Sequence, residues 1–229
     1  MNILLVDDEE KIVEVIEAYL KKEGFEVFSC SNGKDALNIF NNNKIDLILL
    51  DLMLPDLSGE EVCKVIREKS CVPIIMITAK TEEDDLLEGF DIGADDYVTK
   101  PFSVKQLIAR IKALLRRATN CDKEGEILVF NDGELKINLE TREVWVRGKL
   151  ITLTSTEFNI LMCLSKYPKK IFTRDEIIEL VLGDKNDSFD RVIDSHIKNL
   201  RSKIEENSRK PKFIMTVYGV GYKFEGKKI

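Results

Sequence analysis

Along the first half of the chain, short apolar runs alternate with longer stretches whose apolar residues return every three or four positions. Residues 2–6 (NILLV), 25–30 (FEVFSC), 46–50 (DLILL), 73–78 (PIIMIT) and 96–99 (DYVT) have the length and bounds of strands. The third and fourth are almost wholly apolar, as strands covered on both faces of a parallel sheet are. Between the first two, Ile12, Val15, Ile16, Tyr19 and Leu20 keep the i, i+3, i+4, i+7, i+8 spacing of one helical stripe, closed by Gly24. Leu107, Ile108, Ile111, Leu114 and Leu115 repeat that spacing in a fifth helix. The alternation predicts an α/β fold, a five-stranded doubly wound parallel sheet in the order 2-1-3-4-5.

The periodicity changes in the second half. Residues 127–153 break into short alternating pieces (ELKINLE, EVWVRG, KLITL) with Gly133 and Gly148 at turns, which predicts a small antiparallel sheet. Helical spacing follows over 155–166, 175–182 and 190–206, and the last of these carries Ile193, Ile197, Leu200 and Ile204 on one side. The closing stretch FIMTVYGVGYKFE, from Phe213, predicts a hairpin with Gly219 and Gly221 at its turn. Strands, three helices and a terminal hairpin make a winged helix-turn-helix α+β pattern. Residues 116–126 (RRATNCDKEGE) hold no apolar run, so we place a linker at 119–125 between domains 1–118 and 126–229.

A length of 229 residues suits two such domains. Charge separates them: up to residue 120 there are 15 Lys and Arg against 23 Asp and Glu, net −8, and beyond it 20 against 18, net +2. No apolar run approaches the ~20 residues of a membrane span, and the apolar start runs straight into Asp7 and Asp8 without a basic flank. The expectation is a cytoplasmic protein with no membrane partner. Cys30, Cys63, Cys71, Cys121 and Cys163 are odd in number and widely spaced, with a single histidine, His196, in the chain. Reduced cysteines fit better than a disulfide framework or a zinc site.

Asp7 and Asp8 follow the first predicted strand and Asp51 ends the run of the third, so the topology brings three carboxylates to neighbouring strand ends at the switch point of the sheet. Three negative charges together need compensation. A hard divalent cation with oxygen ligands, Mg²⁺, supplies two charges, and Lys100 at the end of the fifth strand supplies the third. Thr78 ends the fourth strand at the same edge. Such a site suits phosphoryl transfer with Asp51, the central carboxylate, as nucleophile and an aspartyl phosphate as product.

LLVDDE, DLILLDLMLPDLSG, MITAK and GADDYVTKPF, in this order, resemble the receiver domain of two-component response regulators, a flavodoxin-like fold, over about the first 118 residues. The resemblance implies that a sensor histidine kinase phosphorylates Asp51, and that Asp7, Asp8, Asp51 and the Met53 carbonyl hold Mg²⁺. It implies that Thr78 and Tyr97 form a switch pair, with Tyr97 swinging inward after phosphorylation, and that Lys100, before a cis Pro101, clamps the phosphate. It further implies a homodimer through the fourth helix, fifth strand and fifth helix, with Asp95, Asp96, Arg110 and Arg117 as charges for pairing. The basic residue common near Leu86 and the acidic one common near Gln106 are missing, so one inter-subunit ion pair is absent.

The face of the 190–206 helix opposite its isoleucines presents Arg191, Asp194, Ser195, Lys198, Asn199, Ser202 and Lys203, residue types that reach phosphates and base edges. LTSTEFNILMCL, FTRDEIIELV, DRVIDSHIKNLRSKI and TVYGVGYKF resemble the winged-helix domain of the OmpR/PhoB group. That implies promoter DNA as partner, residues 190–204 as recognition helix, Arg191, Lys198 and Arg201 as phosphate contacts, and Ser195 and Asn199 as base readers. The hairpin with Tyr218, Gly219 and Gly221 would be the wing. Tyr218 stands where an arginine is common, and a phenol cannot supply that charge. His196 is expected on the helix surface, packed toward the first helix of this domain or a phosphate. RNA polymerase is a further candidate partner. The whole reading is a phosphorylation-switched transcription regulator; the alternatives are a Mg²⁺-dependent phosphotransfer enzyme, a protein-binding adaptor and a phosphate-independent DNA-binding regulator.

Overall fold

Five parallel strands, β1 (Asn2–Val6), β2 (Glu26–Cys30), β3 (Leu47–Asp51), β4 (Ile74–Thr78) and β5 (Asp96–Thr99), pair in the order β2-β1-β3-β4-β5. The computed structural model describes residues 1–79, 92–119, 127–181 and 190–229, without the side chains of 117–119, 190 and 191. The fourth predicted helix, most of the linker, Cys121 and Leu86 lie outside these residues. The described chain divides into two units, Met1–Ala118 and Thr119–Ile229.

In the first unit β3 and β4 are buried at every position, which is why their sequences are continuous apolar runs and not alternating ones. The described helices are α1 (Glu10–Lys22), α2 (Gly33–Asn42), α3 (Gly59–Arg67) and α4 (Val104–Thr119). On α1 the apolar stripe is narrower than its spacing suggests: Ile16 and Leu20 are sealed, whereas Val15 and Tyr19 remain 48% and 40% exposed. On α4, Leu107, Ile108, Ile111, Leu114 and Leu115 all enter the core with Ile3, Leu5, Leu49 and Ile77. Ser58 and Glu61 close a capping box at the start of α3. Gly59 then begins α3 so close to β3 that an added Cβ would lie 2.2 Å from the Asp51 carbonyl oxygen, so this position admits no side chain.

The second unit opens with a four-stranded antiparallel sheet of β6 (Ile127–Phe130), β7 (Leu135–Asn138), β8 (Val144–Val146) and β9 (Lys149–Ile151). Helices α5 (Ser155–Ser165), α6 (Arg174–Val181) and α7 (Asp190–Ile204) follow. Strands β11 (Ile214–Val217) and β12 (Gly221–Phe224) form the expected hairpin. A third strand, β10 (Ile171–Thr173), adds to β12. Its three residues are too few for alternation to register in the sequence. At Gly221 a Cβ would sit 2.0 Å from the Phe172 carbonyl oxygen, so β10 and β12 approach closely only because that side chain is missing. One core unites Phe130, Phe158, Phe172, Ile193, Ile197, Leu200, Ile204, Phe213 and Phe224.

Candidate functional site

Strand ends build the acidic site. β1 delivers Asp7 and β3 delivers Asp51, both buried, and Asp8 beside them is exposed. Each of the three brings a carboxylate oxygen within 4.8 Å of the other two. The Lys100 ammonium arrives from the end of β5 and donates to Asp51 Oδ2 at 2.7 Å and to Glu9 Oε1 at 2.8 Å, and it lies 3.0 Å from Asp7 Oδ2 as an ion pair. Burial pushes Lys100 down, but the bonds from Asp51, Glu9 and Asp7 outweigh it and hold the ammonium above the ordinary lysine value. Burial pushes the Asp7 carboxyl up, opposed by the Glu9 amide and by Lys100. Asp7 Oδ2 is buried without an aligned hydrogen-bond donor.

The second Asp51 oxygen, Oδ1, accepts from the Met53 amide at 2.8 Å, and the Met53 side chain points to solvent, 63% exposed. Asp56, further along the same loop, accepts from the Gly33 and Lys34 amides at 2.7 and 3.1 Å, so the loop after Asp51 is fastened to the start of α2. Those donors hold the Asp56 carboxyl below the usual carboxylate range. The 100–101 peptide bond is cis. Glu9 is a member of the site that charge counting passed over; its signal was its place directly after the Asp7-Asp8 pair.

Thr78 closes β4, fully buried, and its carbonyl accepts from the Lys100 amide at 2.7 Å. Tyr97 departs from the expected sequence of events. Its ring is already inside, 2% exposed, with its hydroxyl donating to the Met76 sulfur. Asp95 is also corrected: fully buried, it accepts from Arg67 Nη2 at 2.9 Å and from the Ile74 amide at 3.0 Å, fastening α3 to the sheet where it cannot present charge to a partner. Asp96 and Arg110 pair with each other, Nη1 reaching both carboxylate oxygens at 3.0 and 2.9 Å. The Arg117 side chain lies outside the described residues, and Gln106 is exposed.

On α7 the buried face is wider than the isoleucine spacing suggests, because Val192, Ser195 and His196 are buried as well. His196 is therefore a core residue, 1% exposed, and not a surface group. Ser195, at 9%, has little surface left for reading a base. Lys198 and Ser202 are exposed and Asn199 is half-buried. Arg201 turns to the hairpin, its guanidinium donating to the Ile214 carbonyl at 2.8 and 3.0 Å and to Thr216 Oγ1 at 2.8 Å. Lys203 reaches the buried Glu157, which closes the capping box with Thr154 at the start of α5, at 2.6 Å. The Arg191 side chain lies outside the described residues. At the hairpin tip Tyr218 is 93% exposed, with Gly219 in the left-handed region at φ 74°.

Residues 3–112 match the response regulator receiver domain, and residues 148–224 match the C-terminal domain of transcriptional regulatory proteins. The sensory transduction protein RegX3 of Mycolicibacterium smegmatis is 43% identical over 226 residues, 98% of this chain and 99% of the relative. The DNA-binding response regulator MtrA of the same organism is 42% identical over 222 residues, 97% of this chain and 96% of the relative. Among solved structures, DrrB of Thermotoga maritima, an OmpR/PhoB homologue, shares 37% identity with a TM-score of 0.52 over 98% of this chain and 99% of its own. A RitR mutant shares 27% with a TM-score of 0.78, over 98% of both chains. The two halves thus define a response regulator that joins a receiver to a DNA-binding output domain, a transcription regulator and not a metabolic enzyme. The chain belongs to the OmpR/PhoB family of response regulators.

Proposed function

We propose that a sensor histidine kinase phosphorylates Asp51, that the modified protein dimerises, and that the dimer binds promoter DNA in the cytoplasm and acts on RNA polymerase. The observation that carries this reading is the Lys100 ammonium held between Asp51 Oδ2 and Asp7 Oδ2 at one sheet edge. In the transfer, an Asp51 carboxylate oxygen forms the new P–O bond as the P–N bond to the kinase histidine breaks, and the imidazole leaves with the electron pair. Lys100 is placed to hold a negative oxygen beside Asp51, and fixation of the loop by Asp56 keeps the nucleophile oriented.

The residues present fit Mg²⁺: three hard oxygen donors converge, two of them buried. Asp7, Asp8, Asp51 and the Met53 carbonyl would hold the ion, which when bound neutralises charge on the transferred phosphoryl group. A raised Asp7 value means that folding of the bare receiver favours the protonated acid, so its stability is greatest below the ordinary aspartate value and falls as pH rises through the raised one. Mg²⁺ binds only the ionised form. The rise in melting temperature on adding Mg²⁺ is therefore expected to be small near about pH 4 and to grow toward about pH 7.5. A rise of equal size across that range would exclude Asp7 as a ligand.

Lys198, Asn199 and the hairpin tip are the groups we assign to DNA contact, Lys198 to phosphate and Asn199 to a base edge. Dimerisation would rest on Asp96 and Arg110 exchanging their internal pair for one across the two-fold, with Asp95 taking no part. Domains 1–118 and 126–229 joined by a linker at 119–125 complete the reading. Acetyl phosphate with Mg²⁺ is expected to convert the full chain from monomer to dimer in light scattering and to tighten its retention on DNA at least about tenfold by paired binding. A protein that takes up phosphate with neither change would refute the switch. One observation favours a second reading in part: Tyr97 is already seated inward, so some DNA binding without phosphate is expected in the same assay.

A further inference from the structure

The recognition helix carries a carboxylate that its proposed task does not explain. Asp194 lies on α7, where an anion repels phosphate, yet its side chain is 43% exposed. What it holds accounts for it. Arg174, the first residue of α6, donates to it through Nε at 2.7 Å and Nη2 at 3.2 Å, a two-pronged pair, and the Tyr222 hydroxyl from β12 donates to Oδ1 at 2.7 Å. The Tyr222 ring carries Arg174 and Arg201 guanidiniums at 5.2 and 5.5 Å from its centre. Seven residues along α7, on the same helical face, Arg201 grips Ile214 and Thr216 of β11. Thr216 faces Tyr222 across the hairpin, so both clips close on one rung.

Resting on the DNA-binding reading of α7 and the hairpin, we propose that Asp194 is a specificity-determining positioning residue. It fixes the wing at a set distance from the recognition helix and keeps the Arg174 charge from adding indiscriminate attraction to phosphate. The pair is partly exposed, 29% at Arg174 and 43% at Asp194, so solvent screening limits its contribution to folding, and the test below separates positioning from stabilisation. The surroundings agree: the bond and charge of Asp194 hold Arg174 above its ordinary value, and burial together with Asp194 pushes the Tyr222 phenol up to about 12, so both donors keep the protons the clip needs.

The test uses the full chain with acetyl phosphate and Mg²⁺, a duplex enriched by the wild type from a random-sequence pool, and a shuffled duplex of the same composition. Asp194→Asn is expected to bind the shuffled duplex more tightly at low salt, to steepen the dependence on salt by about one unit of log–log slope, and to lower the ratio of selected to shuffled binding about tenfold. Adding Arg174→Gln is expected to return the slope to the wild-type value. Amide hydrogen exchange in β11 and β12 is expected to quicken in Asp194→Asn while the melting temperature of the unit holds. An unchanged slope and ratio would overturn the proposal, as would a lost ratio accompanied only by a lower melting temperature. A wild type that enriches no sequence would count against the DNA reading itself, and the exchange experiment then still reads the clip alone.

Discussion

Asp51→Ala protein incubated with acetyl phosphate and Mg²⁺ is expected to gain no phosphoryl mass, whereas the wild type gains one increment that acid, base and hydroxylamine all remove. Asp7 and Asp51 are both buried with Lys100 at one oxygen and a backbone amide at the other, and Asp51 has the shorter Lys100 contact, 2.7 Å against 3.0 Å. Asp8 is exposed, and the Asp7 carboxyl is pushed up by burial, which makes it the poorer nucleophile. The variant should also lose the change in dimer content and the gain in DNA retention. Intact-mass spectrometry decides the matter: an adduct of undiminished yield on the variant, mapped to Asp7 or Asp8, would move the nucleophile and break the assignment.

Glu205→Ala is expected to unfold the DNA-binding unit at a temperature where the receiver still holds. Glu205 is buried just past α7, and its two oxygens accept from the amides of Lys212 at 2.8 Å and of Phe213 and Ile214 at 2.9 Å each. Alanine leaves three backbone donors without that acceptor at the start of β11. At about 1–3 kcal/mol for each orphaned buried donor, and with Lys212 only partly buried, the loss is about 3–6 kcal/mol. That is a large share of the roughly 5–15 kcal/mol that holds a domain of this size. Calorimetry should show two transitions with the lower one displaced. Glu205→Gln keeps an acceptor oxygen for Phe213 and Ile214 and should lose about 1–2 kcal/mol. An alanine variant within about 0.5 kcal/mol of wild type would mean that water replaces the carboxylate.

Elements whose burial is set by local periodicity were legible from the chain alone. The apolar runs of β3 and β4, the α4 stripe and the isoleucines of α7 all lie where their spacing puts them. The convergence of Asp7, Asp51, Thr78 and Lys100 was legible too, because strand order determines which strand ends are neighbours. What escaped depends on partners remote in sequence. Arg67 lies 28 residues from Asp95, and nothing near Asp95 announces that it will be sealed. His196 lies three residues from Ile193 and four from Leu200, at the edge of the same buried stripe, and a polar residue type there hid how wide that stripe is. Glu205 is held by amides seven to nine residues further on, which the helix spacing does not mark. Tyr97 was read as a moving part, and its seat beside Met76 follows from side-chain packing that no spacing rule contains.

The near-contact of Gly221 with the Phe172 carbonyl bears on how such regulators diverge. Any heavier residue at that rung would force the three-stranded sheet apart, so the foot of the wing is closed to substitution. Three positions away Tyr218 stands in solvent with almost no neighbours to satisfy. The residue at the tip is thus free to change while the frame beneath it stays fixed, a tool whose handle is already cut and whose point can be exchanged.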